Sequence, residues 1–199
     1  MAWNPYYDEW VSIHDEAADV SPAERRELRG LLIRRYAFAV PSEEALALIG
    51  RYGPIVEVGA GSGYWSRCLR ERDVDVVAYD EMGDQWRTYF RTPDSTEPEL
   101  WTEVVRGGPE RLATHGKRTL LLCWPDPWTG MDEASLLSHP GDRLVYVGEL
   151  GSRGPGSECF HRRLRTEWRE VARAPVPQWD GCDDLLLVYE RQVTGRSPA

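Results

Sequence analysis

Long hydrophobic runs are absent from this sequence of 199 residues. No apolar stretch approaches the roughly 20 residues that a membrane-spanning helix requires, and the aromatic, acidic segment 1–10 lacks the basic-then-apolar pattern of a secretory signal. Cysteine is scarce: four residues are scattered without a CxxC pair, and no metal-ligand spacing is visible. These absences predict a soluble, cytoplasmic protein with reduced cysteines, no membrane contact and no metal site.

A surplus of basic residues is also lacking, since the formal net charge is -9. Proteins that follow nucleic-acid backbones are usually basic, because neutralisation of phosphate supplies most of their binding. The charge balance therefore favours a small, uncharged or cationic substrate over nucleic acid. A run of arginines between residues 25 and 35 is interpreted as a solvated helix face. The oligomeric state is left open.

The amino-terminal part of the chain predicts helices that lie on the same domain as the rest. Asn4 and Pro5 form a helix cap, Ser21 and Glu24 form a capping box, and a third helix begins near Ser42. We expect residues 1–50 to form a helical cap segment, residues 51–193 to form an α/β domain, and residues 194–199 to form a flexible tail.

From residue 51 onward, short apolar runs alternate with helix-compatible stretches. Alternation of this kind indicates a parallel sheet covered on both faces, which is a doubly wound α/β fold. The expected strands of this part are residues 55–58, 74–79, 103–105, 119–123 and 143–147. Two further strands, 168–174 and 184–190, have no helix between them and predict an antiparallel pair at one end of the sheet.

A glycine loop follows the first predicted strand. Gly59, Gly61 and Gly63 alternate with other residues, and a helix begins directly afterwards. Glycine is needed where a backbone turns sharply or a ligand approaches the main chain. The second strand ends at Asp80, and an acid in that position accepts hydrogen bonds from ribose hydroxyls in nucleotide-binding α/β folds. A dinucleotide fingerprint fits less well, because its third glycine position holds Tyr64, but a nicotinamide oxidoreductase remains an alternative.

With Glu57 before the glycines, this loop resembles the E/D-x-G-x-G-x-G motif of class I S-adenosylmethionine-dependent methyltransferases, and the resemblance covers about residues 36–191. In that family the loop backbone lies against the methionine part of the cofactor. The resemblance implies S-adenosylmethionine as cofactor, and a mostly parallel seven-stranded sheet whose last strand is antiparallel. The candidate cofactor-binding residues are Glu57, Gly59, Ala60, Gly61, Gly63, Asp80, Gly108, Glu110, Cys123 and Tyr36.

A second motif, Trp-Pro-Asp-Pro-Trp, follows the fourth strand at residues 124–128. It resembles the N/D-P-P-Y/F/W motif of amino-group methyltransferases, in which this position faces the transferred methyl group. A rigid turn holds an amine in line with the sulfonium, and an aromatic ring supplies a stacking wall that also suits a cation. Asp126, Trp128 and Trp124 are therefore the catalytic candidates, for methyl transfer to a small amine or hydroxyl compound.

Two alternatives stay open at this motif. The same residues resemble the P-D-P-W segment of bacterial tRNA methyltransferases that form 7-methylguanosine, but those enzymes continue with basic residues and this chain continues with Asp132 and Glu133. Because the motif departs from the common pattern, a protein that binds S-adenosylmethionine without methyl transfer is the other alternative.

Four more residues are candidates for contact with the substrate. Glu149 ends the fifth strand, at the edge of the sheet where α/β sites lie. Tyr7 and Trp10 belong to an aromatic segment that could fold over the cleft and exclude water. His161 is a candidate base within reach of the cleft.

Overall fold

A computed structural model of the chain describes residues 3–16, 20–81, 100–151 and 154–192. The predicted tail, residues 194–199, lies outside the described residues, and the division at residue 50 stays a prediction. Within the described part of the chain, no helix is both long and apolar enough to cross a membrane.

The predicted amino-terminal helices form, with the predicted caps. The Oδ1 atom of Asn4 accepts a hydrogen bond from the Tyr7 amide at the start of the first helix. Ser21 and Glu24 form a reciprocal capping box at the start of the second helix, and the Ser42 hydroxyl caps the third. The three helices are α1 (Pro5–Val11, continued by a π-helical turn at Ser12–Glu16), α2 (Pro22–Arg35) and α3 (Glu43–Gly50).

A seven-stranded sheet forms the centre of the molecule. Its strands are β1 (Ile55–Val58), β2 (Val76–Asp80), β3 (Val105–Arg106), β4 (Thr119–Cys123), β5 (Arg143–Gly148), β6 (Trp168–Pro175) and β7 (Leu185–Arg191). The connections contain α4 (Tyr64–Arg70), a 3-10 helix (Pro109–Thr114), α5 (Met131–Ser138) and α6 (Glu158–Glu167). The strand order is β3-β2-β1-β4-β5-β7-β6.

The direction of β7 confirms the prediction of an antiparallel last strand. β1 to β5 run parallel, whereas β7 lies between β5 and β6 and is antiparallel to both. The strand order of the sheet reverses at β1, which has β2 on one side and β4 on the other. A crevice opens outside the carboxyl ends of the strands at such a reversal, and ligands of doubly wound sheets bind there.

Two apolar cores cover the two faces of the sheet, as a doubly wound fold requires. Successive side chains of a strand point to opposite faces. Leu121 of β4 accordingly packs with Leu46 of α3 and Trp65 of α4. Its neighbour Leu122 packs on the other face, with Phe160 of α6.

Two strands begin two residues later than predicted, and β5, β6 and β7 differ from prediction by one residue at one or both ends. β2 begins at Val76 rather than residue 74, because the Val74 amide donates to the Leu69 carbonyl at 3.1 Å and closes the turn after α4. β3 is only two residues long, and the Glu103 carbonyl before it accepts from the Arg70 guanidinium at 3.3 Å. In both cases a contact with α4 takes the backbone out of the strand ladder.

Candidate active site

The glycine loop turns from β1 into α4 over the end of β2. Gly59, Gly61 and Gly63 have φ angles of 75°, 59° and 77°, which side chains rarely allow. The amides of Gly59 and Ala60 both donate to the Tyr79 carbonyl, at 2.9 and 3.0 Å. The loop is therefore fixed to the neighbouring strand before any ligand contacts it.

Asp80 connects β2 to this loop. Its Oδ2 atom accepts a hydrogen bond from the Gly61 amide at 3.0 Å, and the side chain is buried at the edge of a cleft. The predicted acid therefore has two neighbours, the backbone of the glycine loop and the cleft.

Glu57 lies beneath the loop and not in the cleft. Its carboxylate accepts a hydrogen bond from the Ser66 hydroxyl of α4 and is 1% exposed. Burial raises the pKa of Glu57 to about 7, and the hydrogen bond from Ser66 opposes that rise. In this geometry the residue links β1 to α4.

A cleft of about 1030 Å³ opens at the carboxyl ends of β1, β2 and β4. This is at the upper end of the size range of small-molecule sites in proteins. Its described lining comprises Phe38, Val58, Gly59, Asp80, Glu81, Gly108, Pro109, residues 123–129, Met131, Gly151, residues 154–158, His161 and Arg165. Eight of the predicted site residues are in this lining: Gly59, Asp80, Gly108, Cys123, Trp124, Asp126, Trp128 and His161.

The three predicted catalytic residues have different environments. The Trp124 indole stacks on Phe38, with ring centroids 5.3 Å apart and an interplanar angle of 9°. Asp126 is exposed, and its Oδ1 accepts a hydrogen bond from the Trp128 amide at 2.8 Å. Trp128 is 90% exposed at the mouth of the cleft. The motif thus supplies an inner aromatic wall, a carboxylate and an outer aromatic ring.

Residues 155 and 156 lie opposite this motif, and hydrogen bonds of their backbone groups hold them in place. The Gly156 amide donates to the Pro125 carbonyl at 2.9 Å. The Pro155 carbonyl accepts from the Tyr146 hydroxyl at 2.7 Å and lies 2.9 Å from His161 Nε2. Burial lowers the pKa of His161, so a neutral ring that donates to this carbonyl is favoured. The predicted base is thereby engaged in fixing the cleft wall.

Several predicted contacts lie outside the cleft lining. Tyr36 is buried and stacks between Tyr6 and Trp101, so it belongs to the core, and Phe38 lines the cleft in its place. Tyr7 stacks with Trp10, whose indole donates to the Gln178 carbonyl at 3.3 Å. Trp10 thereby contacts the segment before β7.

Glu149 and Glu110 also have other partners. Glu149 accepts a hydrogen bond from the Asp183 amide at 3.3 Å. Glu110 folds back onto the Gly108 amide at 2.9 Å, and this hydrogen bond lowers the pKa of the carboxyl group. Of the remaining loop residues, Ala60, Gly61 and Gly63 shape the turn without lining the cleft. Gly63 is tightly packed, because a Cβ atom there would lie 2.8 Å from methyl carbons of Thr102 and Val104.

The charged groups of the lining are mostly acidic. Asp80, Glu81, Asp126 and Glu158 are carboxylates, and Arg165 is the cation among the described lining residues. This composition favours a ligand with positive charge over a polyanion. Among the described residues, no group of three histidine, cysteine or acidic side chains could hold a metal ion.

The sequence did not identify Asp184, which supports the cleft from behind. Its Oδ1 accepts a hydrogen bond from the Trp124 indole at 2.8 Å. β7 is antiparallel, so it begins where β5 ends, with Leu185 opposite Gly148. The sequence does show an acid directly before the apolar run of β7. It does not show that this acid lies beside Trp124, because that depends on β7 pairing with β5 in the sheet.

Comparison with solved structures identifies the fold. An uncharacterised protein from Listeria monocytogenes serotype 4b is similar, with 13% identity over 79% of this chain and 69% of that chain and a TM-score of 0.50. A candidate Zn-dependent alcohol dehydrogenase from Rhodobacter sphaeroides matches with 13% identity over 88% of this chain and 100% of that chain, at a TM-score of 0.51. With its antiparallel β7, the strand order is that of the class I, Rossmann-like methyltransferase fold.

The magnesium protoporphyrin IX methyltransferase of Synechocystis PCC 6803, solved with S-adenosylmethionine bound, is a further similar structure. Its identity is 13% over 94% of this chain and 91% of that chain, with a TM-score of 0.49. No protein-family model and no curated protein matches the chain.

Proposed function

We propose that this protein is an S-adenosylmethionine-dependent methyltransferase that acts on a small amine or hydroxyl compound. The observation that carries the proposal is the cleft at the strand-order reversal, where the glycine loop and Asp80 meet the Trp-Pro-Asp-Pro-Trp segment. A cofactor-binding half and an acceptor-binding half are thus joined in one cavity.

The residues of the first half fit the cofactor. A Cβ atom at Gly59 would lie 3.0 Å from the Met131 methyl carbon, so the bare backbone packs closely on this wall of the cleft and a side chain there would have to displace Met131. The Asp80 carboxylate suits ribose hydroxyls, and Val58, Pro109 and Met131 offer apolar surface to a purine ring. The acidic lining suits the positive sulfonium.

When bound, S-adenosylmethionine supplies a methyl group already activated by a positive sulfur. The protein then has to orient the acceptor and remove its proton. Pro125 and Pro127 stiffen the turn, and Trp124 holds one face of the acceptor. Asp126 would accept the proton that the acceptor nitrogen or oxygen gives up on methylation.

A pair of glycine variants tests the cofactor site. Gly59→Ala and Gly130→Ala both add a methyl group at a positive φ, 75° and 71°, and so carry similar backbone strain. At position 59 the new Cβ atom would lie 3.0 Å from the Met131 methyl carbon, whereas at position 130 no atom beyond the two chain neighbours lies within 4 Å of it. We expect calorimetric titration to show S-adenosylhomocysteine binding to the wild type, and at least about tenfold weaker binding to Gly59→Ala alone.

Three ligands separate the alternatives in the same titration. Binding of NAD instead of S-adenosylhomocysteine would replace the proposal with an oxidoreductase. Binding of S-adenosylhomocysteine without methyl transfer to any member of an amine and phenol panel would indicate a non-catalytic binding protein. Tight binding of tRNA at physiological salt would contradict the small-molecule acceptor, which the acidic cleft lining supports.

A further inference from the structure

Trp124 has a backbone conformation that a large aromatic residue rarely adopts. Its φ angle is 50°, in the left-handed region that favours glycine. Such a residue is strained and persists only where surrounding contacts fix it. Three contacts do so here: the amide donates to the Val147 carbonyl at 2.8 Å, the ring stacks on Phe38, and the indole donates to Asp184 at 2.8 Å.

Asp184 is itself held in place on both sides. Its amide donates to the Gln178 Oε1 atom at 2.9 Å, and the Gln178 side-chain amide donates back to its carbonyl at 2.6 Å. The side chain is 1% exposed. The charged groups that face it are Arg29 of α2, which favours its ionised form, and Glu149 and Asp183, which oppose it.

Burial of the Asp184 carboxyl group costs free energy, and the hydrogen bond from the Trp124 indole offsets part of that cost. Burial raises the pKa of Asp184 to about 6, and the Trp124 hydrogen bond opposes the rise. The same hydrogen bond fixes the orientation of the Trp124 ring. Trp124 and Phe38 both line the cleft, so this orientation sets the shape of the cleft wall.

We propose that Asp184 is a positioning residue that locks Trp124 against Phe38, and that the resulting aromatic face binds a planar methyl acceptor. This inference rests on the proposed function and names its substrate class. Aromatic faces bind flat rings by stacking. The acceptor class is therefore an aromatic or heteroaromatic compound with a nitrogen or oxygen nucleophile.

Nuclear magnetic resonance of the indole N–H tests the lock without any ligand. The Trp124 signal is the one that Trp124→Phe removes. We expect this signal to shift with pH in the wild type, with a midpoint near 6 where Asp184 titrates. Asp183→Asn, which alters the exposed neighbouring acid, should leave the titration in place, whereas Asp184→Asn should abolish it. A Trp124 signal that does not move with pH, or moves equally in Asp184→Asn, would overturn the lock.

Quinoline, a planar heterocycle, tests the acceptor face in the presence of saturating S-adenosylhomocysteine. We expect Trp124→Ala and Asp184→Ala to weaken quinoline binding at least about tenfold, with unchanged affinity for S-adenosylhomocysteine. Asp184→Asn retains a hydrogen-bond acceptor and should stay within about threefold of the wild type. Asp183→Asn should match the wild type.

The outcomes distinguish failure of this inference from failure of the proposed methyltransferase function. If the wild type binds S-adenosylhomocysteine but not quinoline, or if Asp184→Ala binds quinoline normally, the acceptor face is wrong and the proposed function stands. If S-adenosylhomocysteine does not bind at all, the proposed function fails, and the indole titration still decides whether Asp184 locks Trp124.

Discussion

At the scale of single residues, a buried acid beneath the glycine loop links β1 to α4. Glu57 is almost fully buried, and its pKa of about 7 lies above the ordinary glutamate value of 4.5. The folded protein therefore binds the Glu57 proton more tightly than the unfolded chain does. The stability that this group contributes is fully present below about pH 4.5 and is lost as the pH rises through 7.

Glu57→Gln removes this titration and keeps an oxygen that can accept from Ser66. Between pH 5 and pH 8, we expect the unfolding free energy of the variant to rise by about 2–3 kcal/mol relative to the wild type. Urea denaturation at both pH values measures the difference. The exposed Glu44→Gln should show no such change, and a constant difference for Glu57→Gln would contradict the assignment.

Two of the predicted site residues that line the cleft are placed there by local spacing. Gly59 and Asp80 lie at strand ends, so their spacing alone brought them to the cleft edge. Phe38 was missed in favour of Tyr36, because the segment after α2 has no regular periodicity to tell which aromatic ring faces the cleft. Asp184 was missed because its position depends on where a distant strand inserts.

At the scale of elements, the side chain of the cap residue Asn4 attaches the start of α1 to two other parts of the molecule. Asn4 Oδ1 accepts from the Tyr7 amide at 3.3 Å and from the Tyr64 hydroxyl at 2.9 Å. Its Nδ2 atom donates to the Pro41 carbonyl at 2.7 Å. The helix cap is thus also a tertiary contact with α4 and with the segment before α3.

Asn4→Ala removes all three hydrogen bonds and leaves the buried Pro41 carbonyl without this donor. We expect a loss of about 2–3 kcal/mol in unfolding free energy, since a cap and a buried hydrogen bond are lost together. Asp8→Ala, on the exposed first turn, should cost less than about 1 kcal/mol. Equal losses in denaturant titrations would show that Asn4 acts as a helix cap alone.

Helices with a cap signature and strands with an apolar run were predicted close to their observed bounds. The capping box at Ser21 and the strand at Thr119–Cys123 are examples. The short β3 could not be bounded from sequence, because contacts of Arg70 with the preceding residues decide where pairing begins. Such contacts join parts of the chain that sequence periodicity does not connect.

At the scale of the whole molecule, the net negative charge and the acidic cleft lining both favour binding of a positively charged ligand. S-adenosylmethionine carries one more positive charge than S-adenosylhomocysteine, at the sulfur. We therefore expect a rise in salt from about 0.05 M to about 0.5 M to weaken S-adenosylmethionine binding several-fold more than S-adenosylhomocysteine binding. Calorimetry with both ligands measures this ratio, and equal salt dependence would show that the carboxylates are too distant from the sulfonium.

The insertion of β7 also affects how the protein is made. While residues 185–191 are still inside the ribosome, β5 lacks one of its two neighbours and β6 lacks the strand with which it pairs. Unpaired strand edges are templates for aggregation. A nascent chain stalled at this stage is therefore a natural client for chaperones, and a truncation that removes β7 should yield insoluble protein, although it leaves the glycine loop and the Trp-Pro-Asp-Pro-Trp segment in the sequence.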